Sequence, residues 1–417
     1  MKTKTLSIIL LALVTGITEA QKINEWRPEN RTGVSAETGL LKSWPAEGPA
    51  LLWSCPDLAK GFSSPVFGNN TIYITGNTGS NGAEDILFAV DMKGKVLWQT
   101  VFGRAWTGSF PDSRSTPTVE GNRVYCSSGF GDVACIDGTS GKLIWSYKGS
   151  ELNKGTYGAW GIAESLLIDG NKIYFSPGGP ETMTIALDKA TGNVVWKSAS
   201  LNDKPGYVSP IIVTYAGKKM IINVSLGHVF GVDASSGEIL WKVAHPASSD
   251  GDDHIKCTTP LYKDGMVYVT GGYDTGGMMV RIADDGKNAS VVWTDMILDN
   301  HHGGVVLVNG YIYGSNWLNN SNGNWCCLDW KTGKKMWEEK WNTKGSIISA
   351  EGLLYIFEEK NGNIALVKAN PEKFELISSF KVTQGNSGPF WAHPVIYNGV
   401  LYLRHTNALM AYNIKAK

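Results

Sequence analysis

The stretch that decides the fold is "IALDKATGNVVW", at residues 185–196, because it recurs along the chain. Each copy has an apolar strand before an Asp, a turn that contains Gly, and a second strand that ends on Trp. Further copies are "FAVDMKGKVLW" (88–98), "ACIDGTSGKLIW" (134–145), "FGVDASSGEILW" (230–241) and "CCLDWKTGKKMW" (326–337), with a looser one, "RIADDGKNASVVW", at 281–293. A strand–turn–strand unit that repeats along a chain predicts a repeat architecture rather than unrelated domains.

A second signature lies upstream of the first in most copies. "STPTVEGNRVYCSSG" (115–129) and "TTPLYKDGMVYVTGG" (258–272) both read as strand, tight turn and strand. Joined to the first signature, it gives a unit of four antiparallel strands, A to D, whose closing tryptophans recur every 44 to 52 residues. Four-stranded units at this period are typical of the blades of a β-propeller.

The repeats predict eight blades. Strand A begins near Pro65, Pro117, Ser165, Pro210, Pro260, Gly304, Ile347 and Pro394. The last unit has only three strands, and "GPALLWS" (48–54) supplies the fourth, which removes an open sheet edge. We therefore predict an all-β chain with one eight-bladed propeller at residues 44–417, an N-terminal extension at 21–43 and a signal peptide at 1–20.

Composition and the N-terminus narrow the choice of partners and location. Lys+Arg and Asp+Glu are both 38, and no basic stripe is visible, which argues against a nucleic-acid partner. The start "MKTKTLSIILLALVTGITEA" has the pattern of a secretory signal, and its apolar run is too short to span a membrane. We expect a soluble, exported monomer, periplasmic or secreted, without a membrane span.

The six cysteines do not form a recognisable cofactor motif. No CxxCH haem-attachment sequence is present. Cys126 and Cys135 fall on neighbouring strands, where they could form a disulfide or stay reduced. Cys326 and Cys327 are adjacent in a predicted strand, so their side chains should face opposite ways, which favours a structural role over a vicinal disulfide.

The combination of "ALDKATGNVVW" with "TPTVEGNRVY" resembles the pyrroloquinoline-quinone (PQQ) type of eight-bladed propeller, over roughly residues 44–417. That superfamily includes quinoprotein alcohol dehydrogenases, polyvinyl-alcohol dehydrogenases and a non-catalytic lipoprotein scaffold for outer-membrane protein assembly. The resemblance implies the fold. For function it implies either PQQ chemistry, usually with Ca²⁺, or docking of a partner.

Strand direction alternates in a propeller, so the D-to-A and B-to-C connections should share one face. These connections are long and varied, whereas the others are short turns such as "DGNK" (169–172). Residues just before strand A should lie nearest the axis, and a concave mouth lined by polar groups is the default binding site. The candidates to ring this mouth are Arg114, Glu164, Lys256, His302, Lys344 and His393.

Two functional hypotheses follow. The first is a PQQ-dependent oxidoreductase that acts on an alcohol or sugar hydroxyl and passes electrons to a separate acceptor. The second is a non-catalytic propeller that binds a glycan, a peptide or a protein. The predicted catalytic residues are Glu164, Asp253 and His302, and the predicted cofactor-binding residues are Arg114, Trp160, Lys256, Trp317 and His393.

These residues have different expected roles. Glu164 or Asp253 would be a base or an ion ligand, and Arg114 or Lys256 would hold carboxylates. His302 would hydrogen-bond a ligand or accept its proton, with His301 in support. Two adjacent histidines are too few for a metal site, so the sequence identifies no metal ligand set.

Overall fold

The computed structural model describes residues 22–78, 83–245 and 255–416. Within these residues the chain is all-β, as predicted, apart from one 3₁₀ turn at Glu151–Asn153. The predicted signal peptide lies outside the described residues. In the part of the chain that is described, no helix has the length and apolarity needed to cross a membrane.

Eight four-stranded antiparallel blades follow one another along the chain, which confirms the predicted propeller. Blades 1 to 3 are β4 (Val66–Gly68), β5 (Thr71–Asn77), β6 (Glu84–Asp91), β7 (Val96–Arg104); β8 (Thr118–Glu120), β9 (Arg123–Ser127), β10 (Asp132–Asp137), β11 (Leu143–Lys148); and β12 (Leu167–Asp169), β13 (Lys172–Phe175), β14 (Ile185–Asp188), β15 (Val194–Lys197). Blades 4 to 6 are β16 (Ile211–Tyr215), β17 (Lys218–Val224), β18 (His228–Asp233), β19 (Ile239–Ala244); β20 (Leu261–Lys263), β21 (Met266–Gly271), β22 (Gly276–Ile282), β23 (Ala289–Asp295); and β24 (Val305–Val308), β25 (Tyr311–Ser315), β26 (Trp325–Asp329), β27 (Lys335–Glu339). Blades 7 and 8 are β28 (Gly345–Ala350), β29 (Leu353–Glu358), β30 (Asn363–Lys368), β31 (Glu375–Lys381); and β32 (Val395–Tyr397), β33 (Val400–His405), β34 (Ala408–Asn413), β3 (Ala50–Cys55).

The ring closes through strands from both ends of the chain. Strand β3 pairs antiparallel with β34, and Trp53 lies opposite Ala411. The described apolar core forms eight buried clusters, each shared by two consecutive blades, and one of them joins blade 8 to blade 1. Both the predicted closure and the blade count are therefore confirmed.

Each blade is buried on both faces, which explains the continuous apolar runs in the repeat. In β10, Val133 and Cys135 pack towards blade 3, whereas Ala134 and Ile136 pack towards blade 1. The period-2 alternation of a strand distributes its side chains between two neighbouring interfaces.

The residues that recur in each repeat have separate structural roles. The carboxylate of Asp188 accepts the backbone N–H groups of Ala190 and Thr191 and so holds the turn. Gly192 follows with φ of +76°, and the indole of Trp145 from the preceding blade covers it. Trp145 also donates a hydrogen bond from Nε1 to the carbonyl of Lys189, at 3.1 Å. The closing tryptophan therefore fastens its own blade to the turn of the next one.

The chain before β3 occupies the central channel. Strand β1 (Ile23–Asn24) adds antiparallel to β8, and β2 (Val34–Ser35) adds parallel to β28. Both partners are the innermost strands of their blades, so residues 22–35, called the plug segment here, run between the blades along the axis.

Two buried arginines anchor the plug segment to opposite sides of the ring. Arg31 donates to the carbonyls of Ser165, Leu166 and Pro210, at 2.7–2.9 Å, in the stretches that lead into blades 3 and 4. Arg27 donates to the carbonyls of Val305 and Ile347 in blades 6 and 7. The plug segment thus occupies part of the channel, and a cavity of about 960 Å³ remains between it and the innermost strands of blades 1, 3, 4 and 8.

All six cysteines are free, so the alternative of a disulfide between Cys126 and Cys135 is not realised. Cys126 lies opposite Ala134 in the ladder, one position from Cys135. Cys326 and Cys327 pack into different interblade clusters, as their opposite facing predicts.

Candidate functional site

The axial mouth on the face of the long connections holds a cavity of about 330 Å³, called the axial cup here. Its lining comes from D-to-A and B-to-C connections, as strand alternation predicts, and from the plug segment, which supplies Trp26 as part of the floor. The aromatic residues of the lining are Trp26, Phe62, Phe110, Trp160, Tyr207, Tyr273 and Trp391.

Trp391 is the centre of one aromatic wall. Its ring centroid lies 4.8 Å from that of Phe62, 4.9 Å from that of Phe110 and 4.6 Å from that of His302. On another part of the lining, Trp160 meets Tyr207 edge to face at 5.7 Å. Such a cavity offers flat apolar surfaces on which a ring can stack.

Four predicted site residues line the cup: Arg114, Trp160, His302 and His393. Arg114 directs its guanidinium back onto its own loop, where it donates to the carbonyls of Ser109, Phe110 and Asp112. Burial lowers the pKa of Arg114, and Asp112 opposes this shift. The donors of this arginine are therefore largely engaged before a ligand arrives.

Glu164 and Lys256 lie behind the lining. Ala163 and Ser165 face the cup on either side of Glu164, and Ile255 and Cys257 do so on either side of Lys256. In an extended backbone the residue between two inward side chains points away. The sequence located both connections, but the side chains themselves are turned from the cavity.

Both buried groups have strongly shifted pKa values. Burial raises the pKa of Glu164 to about 8, although Arg31 opposes the shift, and one carboxylate oxygen accepts the N–H of Ser176 at 3.1 Å. Burial lowers the pKa of Lys256 to about 7, with Asp299 opposing, and its ammonium donates to Thr275 Oγ1 at 3.2 Å. These shifts come from enclosure within the protein, behind the cup.

The remaining predicted residues are placed as follows. Trp317 stacks on Tyr273 at 4.5 Å, so it supports a lining residue from behind. Its Nε1 donates to Asn320 Oδ1 at 3.1 Å. Asp253 lies outside the described residues.

His393 links the floor of the cup to the paired histidines. Its Nδ1 accepts from Arg27 Nη1 at 2.9 Å, and its Nε2 lies 3.1 Å from the carbonyl of His302. Burial, with the Arg27 charge added, lowers the pKa of His393 to about 3. Because both nitrogens are engaged, His393 offers a ligand only its ring and positions its neighbours.

Glu359 is a lining residue that the sequence reasoning missed. Its Oε1 lies 2.7 Å from Lys344 Nζ, and its Oε2 accepts from Trp391 Nε1 at 3.0 Å. The same Oε2 is 3.2 Å from Nε2 of His302. Burial raises the pKa of Glu359, and the Lys344 ammonium opposes the rise. Its position after strand B of blade 7 was the available signal, since that connection falls on the predicted face.

The described part of the lining does not match the needs of PQQ with Ca²⁺. Calcium takes six to eight oxygen ligands, yet Glu359 is the single carboxylate of the described lining and already binds Lys344 and Trp391. Among the described residues, no three His, Cys, Asp or Glu side chains cluster as a metal site would require. The aromatic rings suit a planar group, but the charged groups of the described lining do not suit this cofactor.

Comparison with known proteins supports the architecture. The family model described as outer membrane protein assembly factor BamB matches residues 82–339. The assembly factor of that name from Moranella endobia is 24% identical over 67% of this chain and 70% of its own length. The quinoprotein ethanol dehydrogenase of Pseudomonas aeruginosa is 29% identical, but over 33% of this chain and 24% of the enzyme.

Solved structures show the same fold at low identity. BamB from Moraxella catarrhalis superimposes with a TM-score of 0.62 at 12% identity, covering 88% of this chain and 99% of that one. A quinohemoprotein alcohol dehydrogenase from Comamonas testosteroni gives 0.64 at 12% identity, covering 93% and 79%. Relatives of both kinds, assembly factors and dehydrogenases, therefore share this propeller.

Proposed function

The chain belongs to the family described as outer membrane protein assembly factor BamB. We propose that it is an exported propeller whose axial cup binds a small neutral ligand with a ring and hydroxyl groups. The observation that carries the proposal is the cup itself. Aromatic side chains form its walls, and Trp26 of the plug segment closes part of its floor. An aromatic cavity of this size, open at the mouth of the propeller, suits a single ring or a sugar unit.

The charges around the cup favour a neutral ligand. Lys344 is engaged by Glu359 and by the carbonyls of Asn319 and Asn320, at 2.7–3.0 Å. Arg114 is engaged by carbonyls of its own loop, and Arg27 by carbonyls and His393. Burial lowers the pKa of His301 to about 3 and that of His302 well below its usual value, so both imidazoles are neutral at pH 7.

A PQQ-dependent oxidoreductase is the finer alternative that the dehydrogenase relatives suggest. It would place a polyanionic cofactor in a cavity whose cations already donate hydrogen bonds within the protein, and its Ca²⁺ would find one carboxylate, Glu359, in the described lining. Unpaired buried charge is costly, so the lining favours a neutral ligand over this cofactor.

Binding by the purified protein tests the proposal. Isothermal titration would compare neutral phenols and monosaccharides with benzoate and with PQQ plus Ca²⁺. Trp391→Leu should weaken binding of the neutral ligands about tenfold or more, because it removes a stacking surface. Leu152→Ala is the matched control, because Leu152 is an exposed apolar residue on the same face, outside the lining. If PQQ with Ca²⁺ binds and supports dye-linked turnover, and the neutral ligands do not bind, the result would instead support the oxidoreductase.

A protein-docking role is the second candidate, and the outer strands favour it. Each outermost strand has one unpaired edge, and several carry exposed apolar pairs such as Val194–Val195 and Val291–Val292. Exposed apolar patches often mark interaction sites. Val194→Lys with Val195→Lys should abolish co-purification of a partner without affecting the cup, and unchanged co-purification would refute docking on this strand.

A further inference from the structure

Resting on the proposed function, we infer that Glu359 fixes the tautomer of His302, which gives the axial cup a hydrogen-bond acceptor on one wall that faces hydroxyl donors on the opposite wall. The cup would then select a neutral ring that carries a hydrogen-bond donor at one end and an acceptor at the other. The inference depends on the hydrogen-bonding state of five side chains in the lining: Thr116, Ser165, Ser209, His302 and Glu359.

The acceptor wall follows from the surroundings of Glu359. Both of its oxygens accept from donors, Oε1 from Lys344 and Oε2 from Trp391, so the side chain is an ionised carboxylate. Nε2 of His302 is buried, makes no hydrogen bond and lies 3.2 Å from Oε2. A nitrogen lone pair this close to a carboxylate oxygen is repelled, whereas an N–H is attracted even where the angle falls short of a hydrogen bond.

The proton of the neutral His302 therefore belongs on Nε2. A neutral imidazole has one donor and one acceptor nitrogen, so Nδ1 keeps its lone pair. No described residue donates a hydrogen bond to Nδ1, and His302 lines the cup. Nδ1 is thus an acceptor that a ligand hydroxyl can use.

The donor wall is built by three hydroxyl residues that precede the innermost strands of blades 2, 3 and 4. Thr116 Oγ1 accepts the N–H of Ser64 at 2.9 Å. Ser165 Oγ accepts the N–H of Thr116 at 3.1 Å, and Ser209 Oγ accepts the N–H of Ser165 at 3.0 Å. These bonds run from blade to blade and fix the three oxygens around the axis.

Each of these hydroxyls still has a proton to donate. Thr116, Ser165 and Ser209 are 3–4% exposed and line the cup. Within the described part of the chain, none of the three O–H groups meets a protein acceptor. Buried hydroxyls normally donate as well as accept, so their protons are available to a ligand oxygen.

The two walls face each other because of the ring's symmetry. The three hydroxyl residues precede blades 2, 3 and 4, whereas His302 precedes blade 6 and Glu359 lies in blade 7. In a ring of eight, the connection that enters blade 2 lies opposite the one that enters blade 6, so Thr116 is opposite His302 and Ser165 is the next hydroxyl along the same wall. A ring-shaped ligand spanning the cup would meet donors at one end and the acceptor at the other.

Three neutral probes of similar size separate these contributions. 4-Hydroxyacetophenone has a donor and an acceptor at opposite ends, 4-methoxyacetophenone lacks the donor, and 4-ethylphenol lacks the ketone. Each lost hydrogen bond should weaken binding about tenfold. Glu359→Gln should reduce the preference for the hydroxyl over the methoxy probe, and Thr116→Val with Ser165→Ala should reduce the preference for the ketone. Leu152→Ala should change neither preference.

A measurement without ligand tests the tautomer by itself. The ¹⁵N resonances of His302 in the intact protein should show a single tautomer with the proton on Nε2, and Glu359→Gln should introduce the second tautomer. A proton on Nδ1 in the wild-type protein overturns the inference even if ligands bind. Probes that bind without selectivity also overturn the inference while leaving the proposed function intact, and failure of every probe to bind overturns both.

Discussion

Gly192 in the turn of blade 3 offers a sharp test of how the blades are joined. A Cβ added there would lie 2.7 Å from Cε3 and 2.8 Å from Cδ2 of Trp145, in the preceding blade. Real Cβ atoms do not approach this closely, so Gly192→Ala must displace the indole. Displacement would also strain the hydrogen bond from Trp145 Nε1 to the carbonyl of Lys189.

The expected magnitude has two parts. A non-glycine residue in the left-handed region costs roughly 1–2 kcal/mol, and Gly192 has φ of +76°. Forcing extra volume into a packed contact costs a further 1–3 kcal/mol or so. Gly170 is the matched control in the same blade, because its φ is +57° and no atom lies within 4 Å of its Cβ position. Gly170→Ala should therefore show the first cost alone.

Urea unfolding followed by far-UV circular dichroism and tryptophan fluorescence would measure the difference. Gly192→Ala should lose about 1–3 kcal/mol more stability than Gly170→Ala. Trp145→Leu should leave room for the added methyl group, because the leucine side chain is smaller than the indole. The double variant should therefore lose less unfolding free energy than the sum of the two single variants. Equal losses at Gly170 and Gly192, or strict additivity with Trp145→Leu, would refute the fastening role of the closing tryptophan.

Two further predictions concern the buried charges. Arg31→Met should cost about 3–5 kcal/mol, because it leaves Glu25 and three carbonyls without their buried partner, and a thermal or urea melt would check it. The pKa of Glu164 is raised in the folded state to about 8 from 4.5, so the folded protein binds the extra proton and wild-type stability should fall as pH rises from about 4.5 to 8. Glu164→Gln should flatten that decline in melts across this range, and an unchanged slope would contradict the buried, protonated state.

The sequence was sufficient for the architecture because every blade repeats the same physical task. Asp188, Gly192 and Trp145 each have one role, and the roles recur from blade to blade, so the pattern is visible without an alignment. The face of the site was predictable too, since strand alternation fixes which connections meet at the mouth. Arg114 and His302 were located on that basis, and both line the cup.

The sequence could not show which side chains of the irregular connections point into the cup and which point away from it. Glu164 and Lys256 are each one residue from a lining position, and a shift of one residue reverses the direction of a side chain in extended chain. Both are buried polar residues, so composition gave no hint of the direction. The hydroxyl before proline in "TP" and "SP" was visible, but its role appears only when neighbouring blades are placed side by side.

The plug segment was the least predictable part. Its two strands have two residues each, too short for any periodic pattern. Arg27 and Arg31 look like surface charges in sequence, yet each donates to carbonyls more than one hundred residues away. Such contacts exist only once the ring has closed around the segment.

Hydroxyl-radical footprinting tests the central claim, that the axial cup is a ligand site, most directly. Saturating 4-hydroxyacetophenone should slow oxidation of Trp391 and Phe110 several-fold, because a ring in the cup would cover their exposed surfaces. Leu152, on the same face outside the cup, should oxidise at an unchanged rate. If the ligand binds but Trp391 and Phe110 are oxidised at unchanged rates, the ligand binds elsewhere, and this would contradict the account.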